Sequence, residues 1–317
     1  MKKISFVIPC YNSERTIESV VKEIENTIKK VDQYEIILVN DCSKDNVWNK
    51  IKKLTEKNKN IKAVNFSKNF GQHSALMAGY RFSTGDIVVS VDDDGQIPID
   101  EVYSLIDKLD EGYDVVYASY AKKKHSFFRN LGTKANNYMC EKMLGKPKEI
   151  MITSFFAAKS YIIDEMIKYY NPYAYVPGLV LRSTNNIASV PVNHREREIG
   201  ESGYNFKKLL SLWINGFTAF SIIPLRASML AGVLFSFVGF IYMIYIIIKK
   251  FMVPSVPVGY SSMLSIILLM GGIILLVLGM IGEYIGRIYI NINNSPQYII
   301  KEKININKDE DRYEKNK

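Results

Sequence analysis

The stretch Ile87-Val88-Val89-Ser90-Val91-Asp92-Asp93-Asp94 joins an apolar, mostly β-branched run to three consecutive carboxylates. The run 87–91 predicts a buried strand. The carboxylates then follow its carboxyl end, where open α/β sheets bind ligands. Adjacent carboxylates repel one another unless a cation lies between them, and oxygen ligands suit Mg²⁺ or Mn²⁺. A solvated turn containing Gly95 and Pro98 explains the triplet equally well, so the stretch alone leaves both interpretations open.

The region around this stretch alternates short apolar segments with segments that carry apolar residues at helical spacing. The strand-like segments are 4–9, 35–39, 62–66, 87–91, 114–117 and, later, 187–192. The helix-like segments are 14–30, 46–58, 72–82 and 99–109. This βαβα order predicts an α/β fold, Rossmann-like, with a mostly parallel sheet and helices on both faces.

After residue 225 the sequence becomes almost continuously apolar. The stretches 227–248 and 258–282 carry no charge, and each is long enough to span a hydrocarbon core of ~30 Å as a helix. We therefore predict a domain over 1–205, an amphipathic membrane-surface helix over 206–224, and transmembrane helices over 225–249 and 257–283. A tail over 284–317 completes the chain and is expected to be disordered from residue 305.

Basic residues that flank the uncharged stretches 227–248 and 258–282 of the two predicted spans indicate their orientation. They are Lys207, Lys208 and Arg226 before the first stretch and Arg287, Lys301 and Lys303 after the second. The connecting segment offers Lys249 and Lys250. The positive-inside rule then puts the domain and the tail in the cytoplasm. We expect a multi-pass protein of the cytoplasmic membrane with both termini inside.

The net charge and the spacing of the cysteines limit the classes of function that fit this sequence. The formal net charge of +9 suits a protein that rests on an anionic leaflet. The basic residues form no recognisable nucleic-acid module, so we expect no nucleic-acid partner. Cys10, Cys42 and Cys140 are scattered and odd in number, which argues against a disulfide framework and against a zinc site.

Four polar segments follow predicted strands and should converge at one edge of the sheet. They are 9–12, 40–45, 67–71 and 92–94. Together they offer an aromatic ring, several carboxylates, a lysine and a glycine, a set that suits a nucleotide diphosphate and a metal. No Gly-x-Gly-x-x-Gly follows the first strand and no Walker loop occurs, which disfavours a dinucleotide oxidoreductase and a P-loop ATPase.

An ordered set of motifs resembles a known family. The motifs are Val7-Ile8-Pro9-Cys10-Tyr11-Asn12, Asn40-Asp41-Cys42-Ser43-Lys44-Asp45, Asn69-Phe70-Gly71-Gln72-His73, Asp92-Asp93-Asp94-Gly95-Gln96-Ile97-Pro98, Ser126-Phe127-Phe128-Arg129, Arg197-Glu198-Ile199-Gly200-Glu201-Ser202-Gly203-Tyr204 and Gly282-Glu283-Tyr284-Ile285-Gly286-Arg287. In this order they resemble family 2 glycosyltransferases of the polyprenyl-phosphate branch, which includes dolichyl-phosphate mannose synthases. The resemblance covers nearly the whole chain and implies a GT-A nucleotide-sugar-binding domain followed by two transmembrane helices.

The resemblance also implies residue roles. Asp92 and Asp94 form its Asp-x-Asp pair, with Asp94 as the direct metal ligand and Asp92 nearer the donor's ribose and diphosphate. Asp93 fills the variable middle position and is expected to point outward. Gln96 matches a polar contact on the donor or acceptor side.

The remaining implied residues surround the donor base and the phosphates. Pro9, Tyr11, Asn40, Asp41 and Lys68 are assigned to donor binding, with Pro9, Tyr11 and Asp41 matching the residues that cradle the base. Arg129 and Arg197 match positions that bind the lipid phosphate or the donor diphosphate.

Two positions depart from the family pattern. The usual paired acid at the second strand is Asn40-Asp41 here, which leaves one carboxylate. The frequent Gly-x-Ser-Lys-Tyr reads Gly200-Glu201-Ser202-Gly203-Tyr204, so a lysine expected near phosphate is missing. Lys207, Lys208 and Arg195 are candidate substitutes.

The chemistry of a phosphate nucleophile supports the same function independently of the family resemblance. A phosphate monoester is largely anionic at neutral pH, so as a nucleophile it needs alignment and charge screening more than a general base. We predict single-displacement transfer, with inversion, from a nucleotide sugar (a UDP-sugar first) to undecaprenyl phosphate or another polyprenyl phosphate, for cell-envelope glycan modification. The alternative is an inactive, membrane-anchored nucleotide-sugar sensor or scaffold. The sequence leaves homo-oligomerisation open.

Overall fold

The computed structural model describes residues 2–28, 33–120, 141, 146–147, 149–193, 223–252, 259–293 and 295–312. The chain divides into two compact units. One comprises Met1–Trp213 together with Asn294–Lys317, and the other comprises Ile214–Asn293.

The first unit contains an eight-stranded sheet in the order β7-β5-β6-β4-β1-β2-β3-β8. Its strands are β1 Ile4–Cys10, β2 Tyr34–Asn40, β3 Ile61–Phe66, β4 Ile87–Ser90, β5 Val115–Tyr120, β6 Phe156–Lys159, β7 Ile187–Val192 and β8 Ile300–Ile304. The neighbours β4-β1-β2-β3 are parallel, as are β5 and β7. The strand β6 runs antiparallel between β4 and β5, and β8 runs antiparallel to β3. The predicted mostly parallel α/β sheet is confirmed.

Six helices of this unit are described. They are α1 Ile17–Thr27, α2 Val47–Lys57, α3 Gln72–Phe82, α4 Val102–Asp110, α5 Ser160–Ile167 and α6 Val176–Ser183, with 3₁₀ turns at Ile99–Glu101 and Lys308–Glu310. The helix α1 forms because Ile17, Val20, Val21 and Ile24 recur at helical spacing and bury one face. The predicted helices agree with α1 to α4 to within a few residues, and α3 agrees at both ends.

Helix α3 lies unusually close to the sheet, and this approach fixes the position of its first residue at the candidate site. A Cβ added to Gly79 would lie 2.2 Å from Val7 Cγ1 of β1 and 3.4 Å from Val39 Cγ2 of β2. Glycine therefore permits the contact. Most of α3, from Ser74 to Tyr80, is buried.

The sequence did not predict β6, α5, α6 or β8. The strand β6 has only four residues, which is too short for a periodic signal. The strand β8 reads Ile-Lys-Glu-Lys-Ile, with intermediate and exposed positions alternating. That pattern is typical of a charged edge strand.

The predicted 284–317 tail needs correction. The helix that was expected to end at 283 continues to Ile292, and β8 then pairs with β3 in the sheet of the first unit. Residues beyond 305, expected to be disordered, are ordered as far as 312. Ion pairs hold them: Asp311 accepts two hydrogen bonds from Arg81, and Arg312 Nη1 lies 2.9 Å from Asp164 Oδ1. A polar segment is ordered here because the folded domain supplies its partners.

The second unit contains α7, Ile223–Met252, and α8, Tyr260–Ile292, which contact each other. Among the residues described, one segment, Leu269–Ile290 of α8, is long and apolar enough by length and composition to cross a membrane. The span predicted over 225–249 falls within α7 and stays a prediction. The predicted surface helix over 206–224 lies outside the described residues, except for 223 and 224, which begin α7.

Candidate active site

The loops after β1, β2, β3 and β4 meet at one edge because these four strands are adjacent and parallel. Hydrogen bonds connect the first two loops directly. The amide of Asn12 donates to Ser43 Oγ at 3.0 Å, and the amide of Lys44 donates to Asn12 Oδ1 at 2.9 Å. The predicted convergence of segments 9–12, 40–45, 67–71 and 92–94 is therefore present in the fold.

The first two loops turn sharply through backbone conformations that few side chains adopt. Asn12 has a φ of 55° and Cys42 a φ of 53°, both in the left-handed region. Such strain persists where the surrounding structure over-determines it, and it concentrates at functional sites. Pro9 is buried in β1. Tyr11 lies beyond the strand end with 47% of its surface exposed, so its ring is available to a ligand.

Asp41 joins the loop after β2 to the loop after β3. Its Oδ1 accepts from the Phe70 amide at 2.7 Å, and its Oδ2 accepts from the Gly71 amide at 2.8 Å. Gly71 has a φ of 90°, which glycine adopts readily, and it directly precedes α3. Burial raises the pKa of Asp41 against the opposing effect of these two amides. The side chain is 2% exposed, so in this structure its carboxylate fixes the entry into α3.

Asn40 is 3% exposed, and its hydrogen bonds lie inside the protein. Its Nδ2 donates to Asn65 Oδ1 at 2.8 Å, and its Oδ1 accepts from the Ser43 amide at 3.2 Å. The sequence assigned Asn40 to donor binding, whereas these contacts make it a support for the loop that carries Asp41. Lys68, in contrast, is exposed, and its Nζ lies 5.0 Å from the centre of the Phe70 ring.

Asp92 is held by two side chains from other parts of the chain. Its Oδ1 accepts from Gln72 Nε2 at 2.9 Å, and its Oδ2 accepts from Ser154 Oγ. Sequence reasoning assigned a role to neither donor. Gln72 belongs to a quoted motif but had no argument of its own. Ser154 had no signal at all, because 62 residues separate it from Asp92 and its approach depends on β6.

Asp93 and Asp94 have different surroundings from Asp92. Asp93 Oδ2 accepts from the Tyr11 amide at 2.9 Å, and its carbonyl accepts from Thr16 Oγ1 at 2.5 Å. The expectation that Asp93 points outward is wrong, because its carboxylate ties the loop after β4 to the loop after β1. Asp94 Oδ1 accepts from the Gln96 amide at 3.1 Å, which closes a local turn next to Gly95.

The electrostatics of the triplet favour a cation. Burial, together with the nearby carboxylates of Asp94 and Asp93, raises the pKa of Asp92 to about 7, against hydrogen bonds from Ser154 and Gln72. Burial and Asp94 also raise the pKa of Asp93. Within the described part of the chain, no lysine or arginine forms an ion pair with Asp92 or Asp93. Their negative charge is uncompensated there.

The predicted phosphate-binding arginines and a complete set of metal ligands are not among the described residues. Arg129 and Arg197, assigned to phosphate binding, lie outside the described residues. In the described ranges, no group of three or more His, Cys, Asp or Glu side chains is arranged to hold a metal ion by itself. An ion at Asp92 and Asp94 therefore needs further ligands from elsewhere, and diphosphate oxygens are suitable ones.

The mostly parallel sheet and the acidic triplet at its carboxyl edge fit the class of nucleotide-sugar-dependent transferases. The sequence model described as "Glycosyl transferase family 2" matches residues 5–167, about half of the chain, and the one described as "GtrB C-terminal hairpin" matches residues 223–288. The chain belongs to glycosyl transferase family 2, and it is a glycosyltransferase.

Solved structures share the fold at low sequence identity. Glucosyl-3-phosphoglycerate synthase from Mycobacterium tuberculosis, solved with UDP, is 20% identical at a TM-score of 0.51, covering 67% of this chain and 76% of that one. The same values hold for that enzyme with Mn²⁺, UDP and glucosyl-3-phosphoglycerate. Mannosyl-3-phosphoglycerate synthase from Rubrobacter xylanophilus is 16% identical at a TM-score of 0.52, covering 69% and 73%. These similarities establish the GT-A fold of the first unit.

Proposed function

We propose that this chain is a membrane-bound, inverting glycosyltransferase that moves a sugar from a nucleotide-sugar donor, a UDP-sugar first, to polyprenyl phosphate. The observation that carries this proposal is the acidic triplet Asp92–Asp94 at the carboxyl end of β4, tied through Asp93 to the amide of Tyr11, whose ring is exposed. An acidic cluster alone would repel a diphosphate. Together with a divalent cation, it attracts one.

The residues present fit Mg²⁺ or Mn²⁺. Asp92 and Asp94 supply hard oxygen ligands, and burial together with the neighbouring carboxylates raises the pKa of Asp92. A related fold was solved with Mn²⁺ and UDP. Asp94, with Asp92 beside it, would hold the ion, which offsets the charge that develops on the leaving nucleoside diphosphate.

The donor base has a plausible platform at Tyr11. Its ring is 47% exposed beside the loops after β1 and β2, and aromatic faces of this kind stack on bases. We assign Pro9 and Asp41 to shaping this subsite and Lys68 to the donor phosphates. Gln96, next to Asp94 in the same turn, is assigned to a polar contact with the donor or acceptor.

The assignment of a lipid acceptor is supported by features of the second unit. The match to the GtrB C-terminal hairpin over residues 223–288 and the apolar segment Leu269–Ile290 support a membrane-embedded helical hairpin made of α7 and α8. Two spans would put both termini on one side, and the flanking basic residues favour the cytoplasm. A glycosyltransferase domain beside the inner leaflet meets polyprenyl phosphate there, for cell-envelope glycan modification.

The reaction needs little acid–base chemistry from the protein. The acceptor phosphate is already an anion near neutral pH. Its oxygen attacks the anomeric carbon from the side opposite the departing diphosphate, which gives inversion. Arg129 and Arg197 are assigned to align the phosphates, since a guanidinium forms forked hydrogen bonds with phosphate oxygens. Alignment of donor and acceptor lowers the barrier, because the reacting atoms are already held in the geometry that the transfer needs.

A transfer assay tests the proposal. Membranes that contain the protein should move radiolabelled sugar from a UDP-sugar to undecaprenyl phosphate when Mg²⁺ or Mn²⁺ is present. Asp94→Asn should lower the rate by ~10²-fold or more, because it removes a charged metal ligand. The matched control is Asp107→Asn, which makes the same change at an exposed position of α4 and should keep the wild-type rate.

The outcomes separate the alternatives. Full activity in the Asp94→Asn variant would refute the metal assignment. Binding of a UDP-sugar without transfer to any polyprenyl phosphate would support the sensor or scaffold instead. Transfer to a soluble acceptor in the absence of lipid would contradict the lipid half of the proposal and leave the donor half standing.

A further inference from the structure

The carboxylate of Asp92, the first of the triplet, is held at both oxygens by side chains from other parts of the chain. Its Oδ1 accepts from the side chain of Gln72, 20 residues away, and its Oδ2 accepts from the side chain of Ser154, 62 residues away. Gln72 is the first residue of α3. Ser154 lies two residues before β6. The orientation of the carboxylate is thus fixed by two elements that lie outside the loop after β4.

Both supporting elements are themselves held in place. Gly71, whose amide donates to Asp41 Oδ2 at 2.8 Å, precedes Gln72, and Gly79 lets α3 pack closely on β1. Beside Ser154, Thr153 Oγ1 donates to the Ala118 carbonyl at 2.8 Å. Each donor therefore projects from a fixed backbone, which is a condition for orienting a ligand group within a fraction of an ångström.

The chemistry of the two donors distinguishes orientation from charge compensation. An amide and a hydroxyl are neutral hydrogen-bond donors. They restrain the direction of a carboxylate and leave its negative charge in place for a cation. A lysine or arginine in either position would neutralise that charge and compete with the ion. Neutral donors at both oxygens suit a carboxylate that must be aimed and stay negative.

We propose that Gln72 and Ser154 are positioning residues that hold the Asp92 carboxylate toward the metal–diphosphate moiety of the donor. The proposal rests on the proposed function for the presence of that donor. Groups in this relation to a metal ligand typically change metal affinity or activity 10- to 100-fold when removed. They act through Asp92 and make no bond to the reacting atoms.

The exposure of both residues makes the proposal testable without unfolding the protein. Gln72 and Ser154 are solvent-exposed, so removing their side chains leaves no cavity in the core. Each hydrogen bond is worth about 1 kcal/mol of stability. Ser154→Ala and Gln72→Ala should therefore melt within a few degrees of the wild type.

Calorimetric titration of UDP into the full-length protein, with Mn²⁺ present, gives a readout other than turnover. Ser154→Ala and Gln72→Ala should each raise the dissociation constant for UDP about 10-fold or more. Ser154→Thr keeps a hydroxyl and should restore most of the affinity. Gln72→Glu should bind more weakly than Gln72→Ala, because it places a fourth carboxylate beside the triplet.

Two controls identify the route of the effect. Ser183→Ala removes a hydroxyl that donates to the Leu179 carbonyl of α6 at 2.9 Å and should leave UDP binding unchanged. In an Asp92→Asn background, adding Ser154→Ala should weaken binding far less than it does in the wild type, since the charged carboxylate that Ser154 orients is already absent.

Equal losses from Ser154→Ala in the wild-type and Asp92→Asn backgrounds would overturn the proposal, as would unchanged UDP affinity in both single variants. In those cases the wild type still binds UDP with Mn²⁺ and the donor assignment stands. A wild-type protein that binds none of UDP, GDP or CMP would overturn the donor assignment and the positioning role together.

Discussion

Glu35 and Asp92 are acidic residues of the same sheet whose pKa values shift in opposite directions. Glu35 lies in β2 near the amino ends of the parallel strands, and Asp92 follows β4 at the carboxyl ends. Burial opposes ionisation in both. It is overcome at Glu35, whose pKa is lowered to about 2, and it prevails at Asp92, whose pKa is raised to about 7.

The surroundings of Glu35 explain its low pKa. Lys62 Nζ lies 2.7 Å from Glu35 Oε2 and 2.9 Å from Glu310 Oε1, and Glu35 is 2% exposed. Ser5 Oγ and the Thr84 amide donate to Glu35 Oε1. A buried cation and several donors thus surround this carboxylate. The C-terminal segment supplies Glu310, which completes the cluster.

Asp92 also accepts hydrogen bonds, but no cation among the described residues pairs with it. Its donors, Gln72 and Ser154, are neutral, and its nearest charges are the carboxylates of Asp93 and Asp94. The difference between the two sites lies in the charge of the partners. At the amino ends the protein compensates its own buried charge. At the carboxyl ends it leaves the charge available to a ligand.

The largest expected effect is on the compensated site. Lys62→Met should lower the free energy of unfolding by about 3–5 kcal/mol, because it leaves the buried charge of Glu35 without its main partner. Thermal unfolding of the full-length protein in detergent measures this loss. Adding Glu35→Gln to Lys62→Met should restore part of it.

Lys52→Met is the matched control for Lys62→Met. Lys52 Nζ lies 2.8 Å from Glu302 Oε1, with both side chains 39% exposed. An exposed pair of this kind contributes under about 1 kcal/mol. Equal destabilisation by the two substitutions would show that burial does not distinguish the two pairs and would remove one half of the comparison.

The second prediction concerns the stability of the protein at acidic pH. Because the pKa of Glu35 is about 2 when folded against 4.5 for the free side chain, its stabilising contribution is complete above pH 4.5 and is lost as pH falls toward 2. The shift corresponds to about 3 kcal/mol. Glu35→Gln should therefore be clearly less stable than the wild type at pH 7, and the gap should narrow between pH 5 and pH 3.

Glu165→Gln provides the reference for this pH series. Glu165 is 53% exposed and pairs with Lys168 on α5, so its substitution should change stability little at any pH. A gap between wild type and Glu35→Gln that stays constant from pH 7 to pH 3 would contradict the lowered pKa of Glu35.

The smallest expected effect is a gain in stability, whereas the substitutions at Lys62 and Glu35 lower it. A raised pKa means that ionised Asp92 costs stability, and the cost grows as pH rises from about 4 through about 7. The shift alone corresponds to about 4 kcal/mol. Because Asp92 is partly exposed, solvent screening reduces this, and without metal Asp92→Asn should be more stable than the wild type by about 1–2 kcal/mol at pH 8 and equally stable near pH 4. Melting temperatures at the two pH values measure this.

Ligand addition sharpens the same test. UDP with Mn²⁺ should raise the melting temperature of the wild type, because a ligand that binds only the folded protein stabilises it. The Asp92→Asn variant should gain less. If the variant were less stable than the wild type at pH 8 without metal, Asp92 would be a compensated carboxylate like Glu35.

Local pattern alone predicted much of the fold. The strand 87–91, the helix 72–82 and the βαβα order could be inferred because apolar periodicity depends on neighbouring residues. The acidic triplet at a strand end was recognisable for the same reason. The C-terminal strand β8 was missed because its charged side chains resemble a solvated tail. It is ordered by pairing with β3, and Arg81 and Asp164, which lie far away in sequence, hold Asp311 and Arg312 after it.

The sequence by itself determined the class of this protein, the edge of the sheet that carries the site, and the acidic residues that define it. Tertiary structure decided the division of roles within that set. It turned Asn40 and Asp41 into loop supports, tied Asp93 to the Tyr11 amide, and brought Gln72 and Ser154 onto Asp92. The reason is physical: the side chains that solvate or orient a carboxylate come from elements that only folding brings together, so no local pattern encodes them.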